Sequence, residues 1–218
     1  MLSLILLPFF VQADSGNYNI WKKPKLFLQL DPYYSFVENR GANLLGAKAG
    51  LEFGKKYRFG LGYYVLKSDI IELKHLTPDQ AKEAPNDTVK AQLRMKYVPI
   101  CFEYIFYNKE NWQVSVPVDL GFGRTYFTYF DQKGNTRRLK DHAVILTDVV
   151  VMGQYKILKW VAVGAGIGYR KMLLDNPAID RKFDSPLYTI RVKLFLEEIY
   201  KSAFPKGIHF NKQNNNAN

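Results

Sequence analysis

One pattern constrains this chain more than any other. Leu45, Ala47, Ala49, Leu51 and Phe53 interleave with Gly46, Lys48, Gly50, Glu52 and Gly54. A period of two held over this length belongs to an extended strand, whose successive side chains point to opposite faces. Here one face is apolar and the other is glycine and charge. The pattern recurs in Tyr57 to Val65, Trp112 to Phe122, Val161 to Tyr169 and Tyr188 to Leu196. Each segment is near the ~9–11 residues that a tilted strand needs to cross a bilayer.

Extended to the whole chain, the alternation predicts strands at 25–37, 44–54, 57–69, 89–107, 112–130, 142–156, 160–172 and 187–200. Eight strands of this kind specify an all-β fold, an antiparallel up-and-down transmembrane β-barrel. The predicted connections at 55–56, 108–111 and 157–159 are tight, whereas 70–88, 131–141 and 173–186 are long and polar. Outer-membrane barrels have short periplasmic turns and longer external loops. The short first external loop, 38–43, departs from that rule. No apolar run approaches the roughly 18 residues of a spanning helix.

The 218 residues suit one domain. Residues 1–13 read as a signal peptide, with an apolar stretch from Leu2 to Val11 and a small residue, Ala13, at its end. A periplasmic segment, 14–24, leads into the barrel at 25–200, and 201–218 read as a flexible polar tail. Cys101 is the single cysteine, so an intramolecular disulfide is excluded and a buried or lumen-facing thiol is expected. The net charge of +11 is scattered over turns and loops without a groove or helix to concentrate it, which argues against nucleic acid. No cluster has the spacing of metal ligands, and no cofactor is indicated.

Alternation alone does not say which face is inside, because a soluble lipocalin-type barrel has the same period with its apolar face inward. Two observations favour the membrane. Tyr57, Tyr107, Trp112, Tyr155, Trp160 and Tyr200 all flank the short turns or the chain end on one side, as an interfacial aromatic girdle does. The polar face, turned inward, collects Asp31, Glu52, Glu103, Asp119, Asp148 and Glu197 against Lys48, Arg58, Arg94, Lys96, Arg170, Arg191 and Lys193. Six acids against seven bases is the near balance that a charged, side-chain-filled lumen requires. The other face carries no charge at mid-span, and Lys67, Arg124 and Lys171 share its parity just beyond the spans. Glycines 60, 62, 164, 166 and 168 fall on the inward side and leave room for large lumen side chains. Around Pro99 the outward parity changes from Leu93, Met95 and Tyr97 to Phe102, Tyr104 and Phe106, which predicts a β-bulge.

The run Tyr97-Val98-Pro99-Ile100-Cys101-Phe102-Glu103-Tyr104 resembles the tyrosine, aliphatic, proline, aliphatic strand of the PorT-like outer-membrane β-barrel proteins of Bacteroidota. The hairpin Gly54-Lys55-Lys56-Tyr57-Arg58-Phe59-Gly60 is similar to that group and to the OmpA/OmpX-type small barrels. The resemblance implies an outer-membrane location and the barrel fold, with some members of the PorT-like group tied to a secretion apparatus. Many such barrels end on an aromatic residue, whereas Tyr200 is followed here by a polar stretch.

The function expected first is structural or interactive: membrane integrity, or binding of lipopolysaccharide or an envelope protein through the loops, with the lumen plugged. Arg137, Arg138, Lys140, Lys171, Arg181 and Lys182, together with Arg170, mark the external end as a candidate lipopolysaccharide-facing rim. A narrow channel for small solutes is the alternative, and a soluble ligand-binding barrel is a further one. A lipid-modifying enzyme would have to draw on His75, His142 or His209; Asp141-His142 at the external end of a strand is the one that Ser185 or Thr147 could approach, and nothing in the sequence assembles a nucleophile, base and orienter. The chain is therefore expected not to be an enzyme.

Overall fold

A computed structural model describes residues 24–37, 40–75, 88–131, 133–174 and 183–203. The expected signal peptide and most of the polar tail lie outside these. The strands are β1 (Lys25–Leu30), β2 (Tyr33–Val37), β3 (Arg40–Phe53), β4 (Tyr57–Leu66), β5 (Ile71–His75), β6 (Thr88–Lys109), β7 (Trp112–Phe130), β8 (Thr136–Leu158), β9 (Val161–Met172) and β10 (Ser185–Phe195). One helix, α1 (Leu196–Ala203), follows β10.

These ten segments make an eight-stranded closed wall. Strands β1 and β2 hold the same register against β3, Lys25 opposite Glu52 and Tyr33 opposite Leu44, so they are one strand interrupted at Asp31-Pro32. Strand β5 continues β4 along β6 after an offset of two residues. All pairings are antiparallel, and β10 closes the ring by pairing with β9 on one side and β1 and β2 on the other. The hairpin at Gly54 and Lys55 is tight because both residues take left-handed φ angles, 57° and 58°.

Two predicted boundaries fail in an instructive way. The predicted strand 187–200 stops at Phe195, and the sequence Leu196-Glu-Glu-Ile-Tyr-Lys-Ser-Ala203 turns into α1 with two acids in its first turn and a lysine in its last. The predicted loop 131–141 is mostly strand, because β8 begins at Thr136. Strands β6, β7 and β8, at 22, 19 and 23 residues, are therefore far longer than a membrane crossing needs. A tilted strand of that length climbs roughly 50 Å, about twice the height of the apolar band of such a barrel. The wall continues past the bilayer on the external side.

The outer surface along β6 changes character once. Val98, Ile100, Phe102 and Phe106 face outward, 38–55% exposed, and the same face of the strand above them carries Lys90, Gln92, Arg94 and Lys96. The inner face of the same strand is apolar above, with Val89, Ala91, Leu93, Met95 and Tyr97 buried, and admits the charged Glu103 between Cys101 and Ile105 below. Register runs unbroken from Gln92 opposite Thr128 to Ile105 opposite Ser115, so there is no bulge at Pro99. What changes there is the solvent outside. The wall passes from hydrocarbon into water, and the apolar face turns from outside to inside without any slip of the backbone.

Candidate functional site

Ten of the thirteen residues assigned to the lumen network come together. Asp31, Glu52, Glu103, Asp119 and Asp148 stand against Lys48, Arg58, Arg170, Arg191 and Lys193, all buried. The other three do not join them. Arg94 and Lys96 sit on the outward face of β6, misread through the supposed bulge. Glu197 lies on α1 and pairs with Lys25 at 3.4 Å and Lys201 at 2.5 Å. The hydrogen bond from Lys201 holds the Glu197 carboxyl below its ordinary range. Removing one acid and two bases leaves five charges of each sign, so the enclosed network is neutral.

Its geometry is continuous. Glu103 is the hub of the periplasmic half: it accepts from Arg58 at 2.5 Å, Ser115 at 2.6 Å, Arg191 at 3.1 Å and Gln154 at 3.3 Å. Arg58 also donates to Glu52 at 2.7 Å and to Gln113. Arg191 reaches up to Asp31 at 3.1 Å, and Lys48 joins Asp31 at 3.3 Å to Asp119 at 2.5 Å. Arg170 grips Asp148 through two bonds of 2.7 and 2.6 Å. Lys193, 3.8 Å from Glu52, is held between the rings of Phe27 and Phe195 at 4.5 and 5.3 Å.

A stack of three tyrosines sits between this network and the external half of the interior. Tyr33, Tyr64 and Tyr97 lie nearly parallel with centroids 5.1 Å apart in succession. Their hydroxyls engage the charged layer: Tyr33 donates to Asp119 at 3.1 Å and accepts from Lys48 at 3.0 Å, and Tyr97 accepts from Arg170 at 2.6 Å. Their rings belong to the apolar cluster above, with Leu44, Leu66, Leu93, Met95, Val144, Leu146 and Leu187. Glycines make the stack fit. A Cβ at Gly46 would fall 2.1 Å from the Tyr64 ring, and one at Gly121 would fall 2.7 Å from that of Tyr97. The sequence reading gave this role to Gly60, Gly62, Gly164, Gly166 and Gly168, of which Gly62 lies against Lys48, and it found neither Gly46 and Gly121 as the room-makers nor the stack, whose members sit on three separate strands.

The girdle residues Tyr57, Tyr107, Trp112, Tyr155 and Trp160 gather at the short-turn end, with Trp112 and Tyr155 in edge contact at 5.0 Å. Tyr200 is carried there on α1 instead of on a strand. The proposed basic rim is not one cluster. Arg137 is bound to Asp131 at 3.2 Å, Arg138 lies on the Tyr126 ring at 4.8 Å, and Lys171 pairs with Asp184 at 2.8 Å. The Asp184 carboxyl is pushed up by its partial burial, yet hydrogen bonds from Lys171 and the Met172 N–H bring it below its ordinary range. Nothing is described of the Lys140 side chain, and Arg181 and Lys182 lie outside the described residues.

Neither hydroxyl candidate has a described hydrogen bond to His142, and His209 lies outside the described residues. Ser185 bonds to Ser35, Thr147 is on the opposite face of β8 from His142, and the register partner of His142 is Thr125. Among the described residues, no group of three histidine, cysteine or acidic side chains has metal-binding geometry. Cys101 is a free, buried thiol, as expected.

No protein-family model matches the chain, and no curated protein matches it in sequence. Solved structures do match in fold. The neisserial surface protein A superimposes with a TM-score of 0.57 at 14% identity, over 80% of this chain and 99% of that one. The attachment invasion locus protein Ail of Yersinia pestis matches at 0.44 and 10% identity, over 78% and 94%. A major outer membrane protein of Thermus thermophilus matches at 0.45 and 9% identity, over 78% and 98%. At these identities the likeness is one of fold, and the fold is that of small outer-membrane β-barrels.

Proposed function

We propose that this chain is a non-conducting barrel of the outer membrane with a structural or interaction role, its working surface being the part of the wall that rises beyond the bilayer. The observation that carries this reading is the closure of the interior. Five buried anions and five buried cations compensate one another across the periplasmic half, the tyrosine stack lies over them, and buried leucine, methionine and valine side chains fill the remainder. An eight-stranded barrel has an interior just wide enough for side chains to fill, and a solute path would have to break ion pairs that are costly to separate once desolvated. A filled lumen leaves the external wall, the rims and partner contacts as the places where this protein can act. The PorT-like assignment belongs to this proposal too, resting on the Tyr97-Val98-Pro99-Ile100 strand.

We further propose that the chain is not an enzyme, on the engagement of Ser185 with Ser35 and the placement of Thr147 on the face of β8 opposite His142. The test of the whole reading is single-channel recording of the purified, heat-modifiable protein in a planar bilayer. Silence at all voltages is the expected result. Discrete conductance steps would make the narrow-channel reading the correct one and turn the lumen charges into a selectivity filter.

A further inference from the structure

The short-turn end of the barrel opens on a recess of about 540 Å³ to which each tight turn at that end contributes. Lys55 comes from the β3–β4 hairpin, Asn111 from the β6–β7 turn, Lys156 and Lys159 from the end of β8 and the turn after it, and Phe195 from the end of β10. Glu52 of the lumen network also reaches the lining, so the recess is the mouth of the barrel and the buried charges are its floor. Its frame is fixed by the backbone: the Lys156 N–H donates to the Asn111 carbonyl at 2.8 Å, and the Phe195 N–H to that of Trp160 at 2.9 Å. The volume falls within the ~300–1,000 Å³ of sites that hold small ligands.

Most of the acids here are already engaged. Glu52 is held by Arg58 at 2.7 Å and Glu198 by Lys25 at 2.9 Å. Lys55, Lys156 and Lys159 have no ion pair among the described residues, and Glu110 is the remaining acid on the lining. Lys55, Lys25 and Arg58 all repel the Lys156 ammonium, and Glu52 opposes them. In place of a bonded carboxylate, Lys156 rests on the Phe195 ring at 5.3 Å, and the same ring carries Lys193 at 5.3 Å. The Lys193 Nζ is buried without a hydrogen-bond acceptor. A concave surface with an excess of one charge concentrates the opposite charge within it. The ligand chemistry follows from the lining. Lysines act as separate point charges, so three of them spread over two turns and a strand end match several carboxylates on one chain better than one compact anion. Phe195, Ile157 and Leu158 supply apolar surface for the methylenes between those carboxylates. The filled lumen behind means that such a ligand enters from the periplasm and stops at the mouth.

We propose that this mouth is the docking site for an acidic peptide segment of a periplasmic protein, with the segment's carboxylates on Lys55, Lys156 and Lys159 and its methylenes against Phe195. The inference adds a second working end to the reading above and rests on its assignment of the short turns to the periplasm. The heat-shifted band and the conductance recording check that reading separately.

The experiment is fluorescence anisotropy of a labelled hexaglutamate peptide titrated with the full chain in nanodiscs of zwitterionic lipid, with glutarate as a small dicarboxylate competitor. The triple variant Lys55→Ser, Lys156→Ser, Lys159→Ser is compared with a control triple, Lys90→Ser, Lys133→Ser, Arg138→Ser, of equal charge change at the external end. The expected result is saturable binding by the parent that weakens as salt is raised, at least a tenfold loss of affinity in the mouth triple, less than a twofold change in the control, and binding that millimolar glutarate does not abolish. If the mouth triple lacks the heat-shifted band, Lys159→Gln carries the same test with a threefold loss expected. No binding by the parent, equal binding by parent and mouth variant, or equal loss in the control would overturn the proposal, and full displacement by glutarate would overturn it in favour of a site for free small dicarboxylates.

Discussion

The periplasmic and external halves of the barrel interior solve the same problem with opposite chemistry. Below the tyrosine stack the lumen holds ten buried charges and the outer wall is apolar; above it the interior is leucine, methionine and valine and the outer wall carries lysine and arginine. The lower half is a membrane protein in cross-section, polar inside because its outside must dissolve in hydrocarbon. The upper half is built in the opposite sense, largely apolar inside because its outside meets water. Strands β6 and β7 pass from one regime to the other in one register, unbroken from Gln92 to Ile105. Sidedness is thus a property of the surroundings at each height, and the backbone need not change for it to invert.

The two halves should respond differently to the same kind of change, and the responses can be ordered. Glu103 accepts from two arginines, so Glu103→Ala would leave a buried, uncompensated cation and cost about 3–5 kcal/mol; denaturant titration of the folded band measures this, and a cost under about 1 kcal/mol would mean that water relaxes the network. In the upper half Leu146→Ala should cost about 2–5 kcal/mol through the cavity it leaves, a value expected of a tightly packed soluble core. On the outer face of one strand, Ile100→Arg should cost about 2–4 kcal/mol at mid-belt, whereas Lys90→Ala above it should stay within about 0.5 kcal/mol. Equal effects at Ile100 and Lys90 would erase the distinction between the halves. At the boundary, Gly121→Ala pushes a methyl into the Tyr97 ring and should cost about 1–3 kcal/mol.

The smallest effect concerns pH at the external rim. Backbone N–H groups of Asn135 and Lys133, with the Asn135 and Arg137 side chains, hold the Asp131 carboxyl below its ordinary range. A depressed carboxylate contributes its full stabilisation above the unfolded value near about 4 and loses it as pH falls through the folded one. Hydrogen-exchange protection of the Lys133 and Asn135 amides should accordingly be constant from neutral pH to about 4, after correction for intrinsic rates, and decline below. Asp131→Asn should remove that decline.

The sequence was most legible where one environment governs a whole strand. Strand β9 was predicted to within a residue, because its alternation of apolar and small or polar residues holds across the bilayer, and β7 was predicted to its ends, 112–130, although it runs through both environments. It was least legible where environment changes within a strand. Leu93, Met95 and Tyr97 were read as outward because apolar was equated with lipid-facing, and Arg94 and Lys96 were drawn into the lumen by the same equation. The signal that could have corrected this was charge balance: without those two bases and Glu197 the enclosed acids and bases match. Individual ion pairs were beyond reach, since Glu103 and Arg191 are 88 residues apart and meet only through closure of the ring. Tyr200 kept the right end of the barrel and the wrong element, because a helix starting just past the last strand still presents an aromatic residue at the interface.

The inversion on β6 is the central claim, and spin labels placed one at a time from Lys90 to Phe106, in a background with Cys101 replaced by alanine, test it most directly. Accessibility to dissolved oxygen against a water-soluble nickel complex reports which positions face lipid, water or the interior. The account predicts even-numbered positions outward throughout, nickel-accessible from Lys90 to Lys96 and oxygen-accessible from Val98 to Phe106, with odd positions up to Ile105 shielded from both. A change of phase at Pro99, with labels at Leu93, Met95 and Tyr97 reporting lipid, would contradict it.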